Sequence, residues 1–582
     1  MDTDKKFLTV NGKQVEIGDE VNILATIRKA GIDIPTFCYR PELSIYGACR
    51  LCLVRVTNPN MGIVASCSIK PMPGMEIITD DDQIRSIRKI NAELLIANHK
   101  RECTTCVRAE NCQLQQLASR LGIDEIRYKQ LTDFVPVDKS SKSIIRDSNK
   151  CVLCGNCVRV CNEVQTVGAI DFSQRGSLAL VSPAFNKGLG ESECINCGQC
   201  VAMCPTGALT VKQDQKAVFK ALHNPEKKVA AQIAPSVRVA LGEAFGFAPG
   251  ENVEGKIFAA LRKLGFDYVY DTNFGADLTI FEEAEELIRR VKNNGTLPMF
   301  TSCCPGWVKF AETMVPGILP NLSTCKSPQE MQSALMKDVL PGLIGCEEKD
   351  LVVVSVMPCT AKKFEADLDK FKRNGVPATD HVITTTELIT MIKSAGIDFA
   401  NLEPEEADAP FGLGTGAGVI FGTTGGVLEA ALRYAAEKIN GKQEGPIEFL
   451  QTRGSDYRKE FTVKLNGLGD VKIAVVHTLG EARKIAEEVQ NGNPNGYLFI
   501  EVMACPGGCV AGGGQPIEIR PTKKQARAVG LYKADKTYSL NKSQENPAVL
   551  EAYDKFLGGE VNSHKAHELL HTTYEDRSDL LK

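Results

Sequence analysis

The residues best suited to chemistry in this chain are its 22 cysteines, and their spacing says more than their number. Five of them fall in three separate segments, TSCCPGW at 301–307, MPCTAK at 357–362 and MACPGGC at 503–509. Each segment follows a short apolar run that is typical of a buried strand. Because ligand groups gather beyond the carboxyl ends of strands in open α/β sheets, we expect the three strand ends to bring these cysteines together. Four thiolates can hold a cluster of iron and sulfide, which leaves the fifth cysteine over.

These three segments resemble the active-site signatures of the iron-only (FeFe) hydrogenases. The second extends to the pattern MPCxxKxxE and the third to ExMxCxxGCxxGGGxP, and all three occur in the family's order. The resemblance implies that Cys304, Cys359, Cys505 and Cys509 bind a 4Fe–4S unit, and that Cys509 also bridges to a two-iron subsite. This centre, the H-cluster, carries CO, cyanide and a dithiolate bridge, which dedicated maturation enzymes make.

The resemblance also implies a route for protons. Cys303 is expected to be the free thiol beside the open iron, where it carries away the proton that heterolytic cleavage of dihydrogen releases. A thiol whose pKa is near the ordinary value of about 8.5 exchanges protons near neutrality. From there the implied relay runs through Glu283, Ser323, Glu286 and Arg290. The two glutamates and the arginine lie at i, i+3 and i+7, on one face of a helix.

Four further residues are implied to surround the two-iron subsite. Lys362 and Ser236 are expected to hydrogen-bond its cyanide ligands, and Met357 and Met503 to pack against it with soft, apolar side chains. A buried, unpaired lysine charge is costly, so Lys362 requires an anionic partner.

The first 80 residues predict a 2Fe–2S domain. Residues 7–17 have the pattern of a hairpin turning at Asn11-Gly12, and residues 21–30 that of a helix ended by Gly31. Hairpin, helix and a following cysteine loop resemble a β-grasp ferredoxin domain, similar to the 2Fe–2S domain of respiratory complex I. The expected ligands are Cys38, Cys49, Cys52 and Cys67.

Residues 81–140 predict a helix over 81–98 followed by a histidine and three cysteines. The expected ligands are His99, Cys103, Cys106 and Cys112. A lone histidine is more often a surface or core residue, but three cysteines are one ligand short of a cubane. The spacing resembles the histidine-ligated 4Fe–4S module of the same families. A neutral imidazole in place of a thiolate makes the cluster less negative, which raises its potential and indicates an electron-relay role.

Residues 141–212 contain the pattern CxxCxxCxxxC twice, as in bacterial two-cluster ferredoxins. In that fold the fourth cysteine of each run serves the other cluster. The expected ligands of the first cubane are Cys151, Cys154, Cys157 and Cys204. Those of the second are Cys194, Cys197, Cys200 and Cys161.

The sequence therefore predicts a multidomain α+β and α/β protein with a catalytic α/β domain over 213–520 and a helical wrap over 521–582. The glycines of GLGTGA at 412–417 fit a dinucleotide fingerprint, which we reject because an acidic, proline-broken stretch precedes them instead of a strand. We expect them to allow close backbone approach to the buried cluster. The three histidines near the C-terminus are expected on a solvated helix or an interaction surface and not as metal ligands.

Composition excludes several classes of protein. CxxCxxC runs in a chain of 582 residues favour metal ligation over a disulfide framework, which suits small secreted domains. The first ten residues do not have the pattern of a signal peptide, and no apolar run is long enough to predict a membrane span. A net charge of −4 without a Lys/Arg-rich block argues against nucleic-acid binding. We expect a reducing, anaerobic cytoplasm.

The predicted function is reversible oxidation of dihydrogen to protons and electrons. The expected cofactors are one 2Fe–2S cluster, three accessory 4Fe–4S clusters and the H-cluster. The expected partners are ferredoxin, flavoprotein subunits linked to NAD(P), or both, with a slight preference for a multimer. The alternatives are an iron–sulfur assembly protein without the dinuclear chemistry, an electron-transfer subunit and a dihydrogen sensor. The intact signatures with Cys303 and Lys362 argue against the assembly protein, and the absence of a signalling domain argues against the sensor.

Overall fold

A computed structural model describes residues 5–441, 449–465, 469–517 and 522–581. The predicted boundary between residues 520 and 521 lies outside the described residues. In the described part of the chain, no helix is both long enough and apolar enough to cross a membrane.

The N-terminal region is a five-stranded sheet with the strand order β2-β1-β5-β3-β4, crossed by one helix. Its elements are β1 (Lys6–Val10), β2 (Lys13–Ile17), α1 (Ile23–Lys29), β3 (Leu53–Asn58), β4 (Gly62–Ala65) and β5 (Glu76–Ile78). Asn11 and Gly12 turn the hairpin with positive φ angles of 50° and 80°, and Gly31 ends the helix region with φ 83°. The parallel pairing of β1 with β5 beside the β1–β2 hairpin confirms the β-grasp prediction.

The next region links this sheet to a small ferredoxin unit with an internal repeat. Its elements are α2 (Asp82–Ala97), α3 (Gln113–Arg120), β6 (Ile144–Arg146), α4 (Asn156–Arg159), β7 (Asp171–Ser173), β8 (Leu180–Ser182), α5 (Gln199–Met203) and β9 (Leu209–Val211). The predicted helix over 81–98 is α2, which begins where the Asp81 side chain accepts a hydrogen bond from the Ile84 amide. The repeat is visible in the turns that open α4 and α5, because Gly155 and Gly198 both have φ 70°.

The catalytic region contains two four-stranded sheets. Its elements begin with α6 (Gln215–Leu222), β10 (Lys228–Ile233), α7 (Glu254–Leu264), β11 (Tyr268–Asp271), α8 (Asn273–Lys292), β12 (Met299–Phe300), α9 (Pro305–Met314), α10 (Pro328–Ile344), β13 (Leu351–Met357) and α11 (Ala361–Ala366). They continue with β14 (Lys372–Arg373), β15 (Val376–Pro377), β16 (His381–Thr384), α12 (Thr385–Ser394), α13 (Gly416–Val419), α14 (Gly426–Asn440), β17 (Arg458–Leu465), β18 (Gly469–His477), α15 (Leu479–Gln490) and β19 (Tyr497–Met503).

The three strands that precede the cysteine segments do not share one sheet. Strand β13 lies in the parallel sheet β11-β10-β13-β16, whereas β12 and β19 pair with each other in the sheet β12-β19-β18-β17. Every residue of β13 is buried, as expected of a parallel strand covered on both faces. The apolar runs therefore predicted buried strands correctly, but strand composition carries no information on the pairing partner.

Gly414 and Gly416 of the 412–417 segment pack against helices, and Gly412 packs against the preceding loop at Asp408, so none of the three has a cysteine segment among its nearest neighbours. A Cβ added at Gly414 would lie 2.2 Å from the Cβ of Asn273 at the start of α8. One added at Gly416 would lie 2.2 Å from an oxygen of Asp535. The expectation of close approach to the buried cluster is wrong for this segment, because the space that Gly414 and Gly416 leave is filled by α8 and by the C-terminal region.

The C-terminal region is helical and packs against helices of the catalytic region. Its helices are α16 (Thr522–Thr537), α17 (Pro547–Phe556) and α18 (His564–Leu570). Buried ion pairs attach it, with Arg527 Nε 2.6 Å from Glu243 and Asp535 2.7 Å from Arg433. Removing one partner of such a pair would leave the other charge buried and unpaired, so these contacts fix where this region lies.

The last of its three histidines is not on a solvated surface. His571 is 5% exposed, with Nε2 3.0 Å from Glu282 Oε2 and Nδ1 2.7 Å from Thr324 Oγ1. His564 and His567 are exposed, as expected. The prediction is wrong for His571 because the chain turns inward after α18, where His571 forms a β-bridge with Cys325.

Candidate active site

A cavity lies at the carboxyl ends of β10, β12, β13 and β19, between the two sheets. It brings together residues that are far apart in sequence. Its lining contains nine residues of the predicted site, Ser236, Cys303, Cys304, Met357, Cys359, Lys362, Met503, Cys505 and Cys509. Strand ends from two sheets, and not from one, therefore supply the site.

Local turns after each strand aim the cysteines into the cavity. Cys304 stands directly before α9, whose first residue is Pro305, a position where the missing amide hydrogen costs nothing. After β19 the chain turns back through Gly507 and Gly508, which have φ 96° and 95°. A Cβ at Gly508 would also lie 2.6 Å from the Thr424 amide nitrogen, so this turn requires glycine.

The four cavity cysteines at 304, 359, 505 and 509 are all free thiols. Burial raises the pKa of each, and the pKa of Cys359 reaches about 11. After burial, the next cause for Cys505 is the charge of Cys359 and of Cys304, which means that these sulfurs face one another. Four free thiols that line one cavity without forming a disulfide fit a cluster that takes its ligands as thiolates, because metal binding replaces the protons.

Lys362 has the anionic partner that its buried charge requires. Its Nζ lies 2.7 Å from Glu365 Oε2 and 3.4 Å from the Cys303 carbonyl oxygen. Ser327 donates a second hydrogen bond of 2.9 Å to the same carboxylate oxygen. Burial opposes the charge of Lys362, but Glu365 outweighs this effect and raises the pKa of the lysine. The ammonium group is therefore held in its charged form at the cavity wall.

Hydrogen bonds connect the outer part of the expected proton relay, whereas Glu283 is fully buried and neither of its carboxylate oxygens has a hydrogen-bond partner within the described residues. Ser323 Oγ donates to Glu286 Oε2 at 3.0 Å, and Arg290 Nη2 lies 2.7 Å from Glu286 Oε1. Arg290 is half-buried, so this part of the relay ends near solvent. Burial first, and then the charge of Glu286, raise the pKa of Glu283 to about 8. A carboxyl group of that pKa can both give and take a proton near neutrality.

The pKa of the Cys303 thiol differs from that of an ordinary cysteine. Burial raises its pKa well above the usual value, and the charges of Glu283 and Cys304 add to the effect. The expectation of a thiol with an ordinary pKa is therefore wrong, and the cause is the depth of the cavity together with its acidic neighbours. The thiol remains protonated at neutral pH and is suited to donating a proton to a stronger base.

Residues outside the signatures complete the wall. They include Thr272, Pro328, Gln329 and Phe421. Sequence reasoning missed them because they lie in segments with no recognisable pattern. Ser236 was expected, and it is fully buried with Gln515 Nε2 3.0 Å from its carbonyl oxygen.

The N-terminal cysteines also converge. The sulfur atoms of Cys38 and Cys49 lie 3.4 Å apart, and the neighbouring thiols of Cys49 and then Cys67 lower the pKa of Cys38, which indicates that a third sulfur is close to the first two. Cys67 likewise lowers the pKa of Cys52, which indicates that these two thiols are close together. All four are buried, so the predicted 2Fe–2S ligands form one group.

His99 lies in a buried position close behind α2. It is 9% exposed, its Nδ1 has no hydrogen-bond partner within the described residues, and burial lowers its pKa. A buried, neutral imidazole with an unpaired ring nitrogen fits a metal-binding role, since metals take the neutral form. Cys103 and Cys106 are half-buried, and Cys112 is buried.

The eight ferredoxin cysteines divide into two groups. Burial raises the pKa of Cys157, and the charges that add to it come from Cys154, Cys151 and Cys204. For Cys197 the corresponding charges come first from Cys161 and Cys194. Cys204 is therefore close to the first run and Cys161 to the second, and the exchanged ligand sets stay a prediction.

Five family descriptions match successive parts of the chain. The 2Fe–2S iron–sulfur cluster binding domain matches residues 7–82, and the NADH-ubiquinone oxidoreductase-G iron–sulfur binding region matches 88–127. The 4Fe–4S binding domain matches 190–210. The iron-only hydrogenase large subunit, C-terminal domain, matches 227–513, and the iron hydrogenase small subunit matches 521–577.

Two relatives and one solved structure show the same relationship. The NADP-reducing hydrogenase subunit HndD of Solidesulfovibrio fructosivorans is 44% identical over 98% of this chain and 99% of its own length. Iron hydrogenase 1 of Clostridium pasteurianum is 40% identical over 98% of this chain and 100% of its own length. A variant of the [FeFe]-hydrogenase HydA1 of Chlamydomonas reinhardtii has a TM-score of 0.57 and 41% identity, covering 63% of this chain and 99% of that one. With its thiol-lined cavity between two sheets and relatives of this identity along its whole length, the chain belongs to the iron-only (FeFe) hydrogenases and is a hydrogenase.

Proposed function

We propose that this enzyme catalyses the reversible oxidation of dihydrogen to protons and electrons, and that accessory iron–sulfur clusters relay the electrons to a partner. The observation that carries the proposal is the cavity itself, in which four free thiols, one further thiol and a charged lysine meet from separate strand ends. An electron-transfer subunit has no need of Cys303 or Lys362. A cubane alone needs only the four thiols.

Cys304, Cys359, Cys505 and Cys509 would hold the H-cluster, which supplies the iron chemistry of dihydrogen when bound. Lys362, fixed by Glu365, would offer a positive charge and hydrogen bonds to anionic ligands of the group. Ser236 would donate a hydrogen bond from another wall, and Met357 and Met503 would exclude water with apolar surface.

The protons would leave through Cys303, Glu283, Ser323, Glu286 and Arg290. Cys303 stays protonated because burial raises its pKa, and Glu283, whose pKa is raised to about 8, can take up and release protons near neutrality. Ser323 can accept a proton from one side and donate to Glu286 on the other. The Glu286–Arg290 pair then brings the path to the half-buried end of α8.

The electrons would pass along one 2Fe–2S cluster and three accessory 4Fe–4S clusters. The ligand groups around Cys38, His99, Cys157 and Cys197 support this number of clusters. Ferredoxin, a flavoprotein subunit linked to NAD(P), or both would accept the electrons. The similarity to a subunit of an NADP-reducing hydrogenase supports the multimeric form. A reducing cytoplasm is the proposed compartment, because the clusters need their cysteines as thiols.

The test is to purify the chain after expression with maturation enzymes and to measure iron, infrared bands and turnover together. We expect about 20 iron atoms per chain, bands of bound CO and cyanide, and hydrogen turnover with an artificial dye. A fully matured protein with only about eight irons would contradict the accessory clusters, and one without the infrared bands would contradict the H-cluster. Purification from the source organism tests the partner, since co-elution of a flavoprotein with NAD(P)-dependent activity is expected.

A further inference from the structure

The loops that carry the proposed ligands of two different clusters are held in direct contact. The ferredoxin loop 194–200 carries three proposed ligands of the second ferredoxin cubane, and it lies against the loops after β13 and β19. A Cβ added at Gly198 would lie 2.4 Å from Thr360 Oγ1, and one added at Gly513 would lie 2.7 Å from Gly198 Cα. Thr360 Oγ1 also donates to the Asn196 carbonyl oxygen at 2.6 Å. The backbones therefore approach as closely as glycine allows.

Gln199 reaches across this contact. It is 2% exposed, and its Nε2 donates to Cys505 Sγ at 3.2 Å and to the Ala511 carbonyl oxygen at 3.1 Å. The reverse orientation of the amide would set its carbonyl oxygen against two acceptors, so the contacts themselves fix which way the group points. Both hydrogen bonds cross from the ferredoxin region to the catalytic region.

We propose that Gln199 is a positioning residue for the catalytic cubane, and that its hydrogen bond to Cys505 raises the reduction potential of that cubane. The inference rests on the proposed function, because it takes Cys505 as a cubane ligand. In the step concerned, the ferredoxin cubane loses one electron and the catalytic cubane gains it, with no proton transferred.

The physical reason is the charge that reduction adds. Part of that charge is borne by the thiolate ligands, and a hydrogen bond to a thiolate is stronger when the sulfur is more negative. The donor therefore stabilises the reduced cluster more than the oxidised one, and hydrogen bonds to the sulfurs are among the factors that set cluster potentials. Gln199 lies between Cys197 and Cys200. The loop that would hold the electron-donating cubane therefore also raises the reduction potential of the cubane that accepts the electron.

Gln165 provides a matched control. It is 1% exposed and also joins the two regions, with Nε2 3.0 Å from the Ala504 carbonyl oxygen and Oε1 3.3 Å from the Leu479 amide. Both of these hydrogen bonds are to backbone atoms, one of them in the residue before Cys505. A loss of inter-domain contact in general should affect both glutamines alike, whereas a direct effect on the thiolate should appear only at Gln199.

The experiment uses the full chain expressed without maturation enzymes, which carries the cubanes and no two-iron subsite. Redox titration followed by electron paramagnetic resonance is applied to the wild type, Gln199→Met and Gln165→Met, and the signal that Cys505→Ala removes identifies the catalytic cubane. We expect the reduced-to-oxidised ratio of this cubane at the wild-type midpoint to fall by about three- to tenfold in Gln199→Met, a shift of at most about 59 mV. Gln165→Met is expected to keep the wild-type value.

An unchanged potential in Gln199→Met, or an equal shift in Gln165→Met, would overturn the inference while leaving the proposed function intact. A wild-type protein without any signal that Cys505→Ala removes would overturn the proposed function itself. Should Gln199→Met fail to retain its iron, Gln199→Asn makes the same test, because the shorter amide withdraws its donor from Cys505.

Discussion

The accessory cluster sites and the catalytic cavity use the same ligand but are built in opposite ways. In the ferredoxin region, cysteines three positions apart on one loop would supply three ligands of each cluster, and only the fourth would come from elsewhere. In the catalytic cavity, the cysteines come from three strand ends in two sheets, and charged and acidic groups surround them. The comparison teaches that a relay site needs only sulfur held at the right spacing. A site for bond cleavage also needs charged and acidic side chains around the sulfur atoms.

The largest difference in iron content and turnover is expected between two variants that each lack one proposed ligand, one in the catalytic cavity and one in the N-terminal domain. Cys505→Ala should lose the catalytic cubane together with the two-iron subsite, about six irons in all, and all hydrogen turnover. Cys38→Ala should lose about two irons and keep most turnover with a dye that reaches inner clusters. Iron analysis and dye-linked activity measure both, and comparable activity in the two variants would break the comparison.

A smaller effect on turnover is expected when a side chain of the cavity wall is changed and the proposed cluster ligands are kept. Cys303→Ala should keep the infrared bands of the H-cluster and lower turnover by about 10²–10⁴, the usual contribution of a general acid–base group. Wild-type turnover with intact bands would show that protons leave the cavity by another group. Loss of the bands would mean that Cys303 supports the cluster itself.

The effect on turnover should be weaker for relay residues that lie further from the cavity. Glu286→Gln is expected to lower turnover by about tenfold, because water can bridge part of the gap near solvent. Glu285→Gln is the matched control, since its carboxylate contacts Tyr434 and Lys438 instead of the relay. Equal losses in the two variants would indicate a general effect on α8 and would count against the relay.

The smallest effect on the rate is expected from a change of pH. The pKa of Glu283 is raised to about 8, so the residue is protonated below that value and becomes a carboxylate above it. The rate of hydrogen evolution should therefore fall to about half its plateau near pH 8 and continue to fall at higher pH, because the relay loses its proton donor. A pH profile with a dye as electron donor measures this, and a rate that stays constant to about pH 9 would exclude Glu283 from the relay.

The sequence by itself determined those features that neighbouring residues build. The CxxCxxC runs, the Asn11-Gly12 hairpin and the helix before His99 are local features, and local spacing and propensity fix them without reference to the rest of the chain. The three signature segments likewise identified the residues of the cavity. They did so through resemblance, because nothing in their spacing shows that they meet.

Only the tertiary structure decided how these pieces combine. Strand pairing is long-range, so the division of β12, β13 and β19 between two sheets is invisible in their composition. The raised pKa values of Cys303 and Glu283 depend on burial, which the whole fold produces. His571 is buried and Gln199 reaches Cys505 because distant segments pack together. The sequence contains the reactive groups, but their solvation and their partners are properties of the packed molecule.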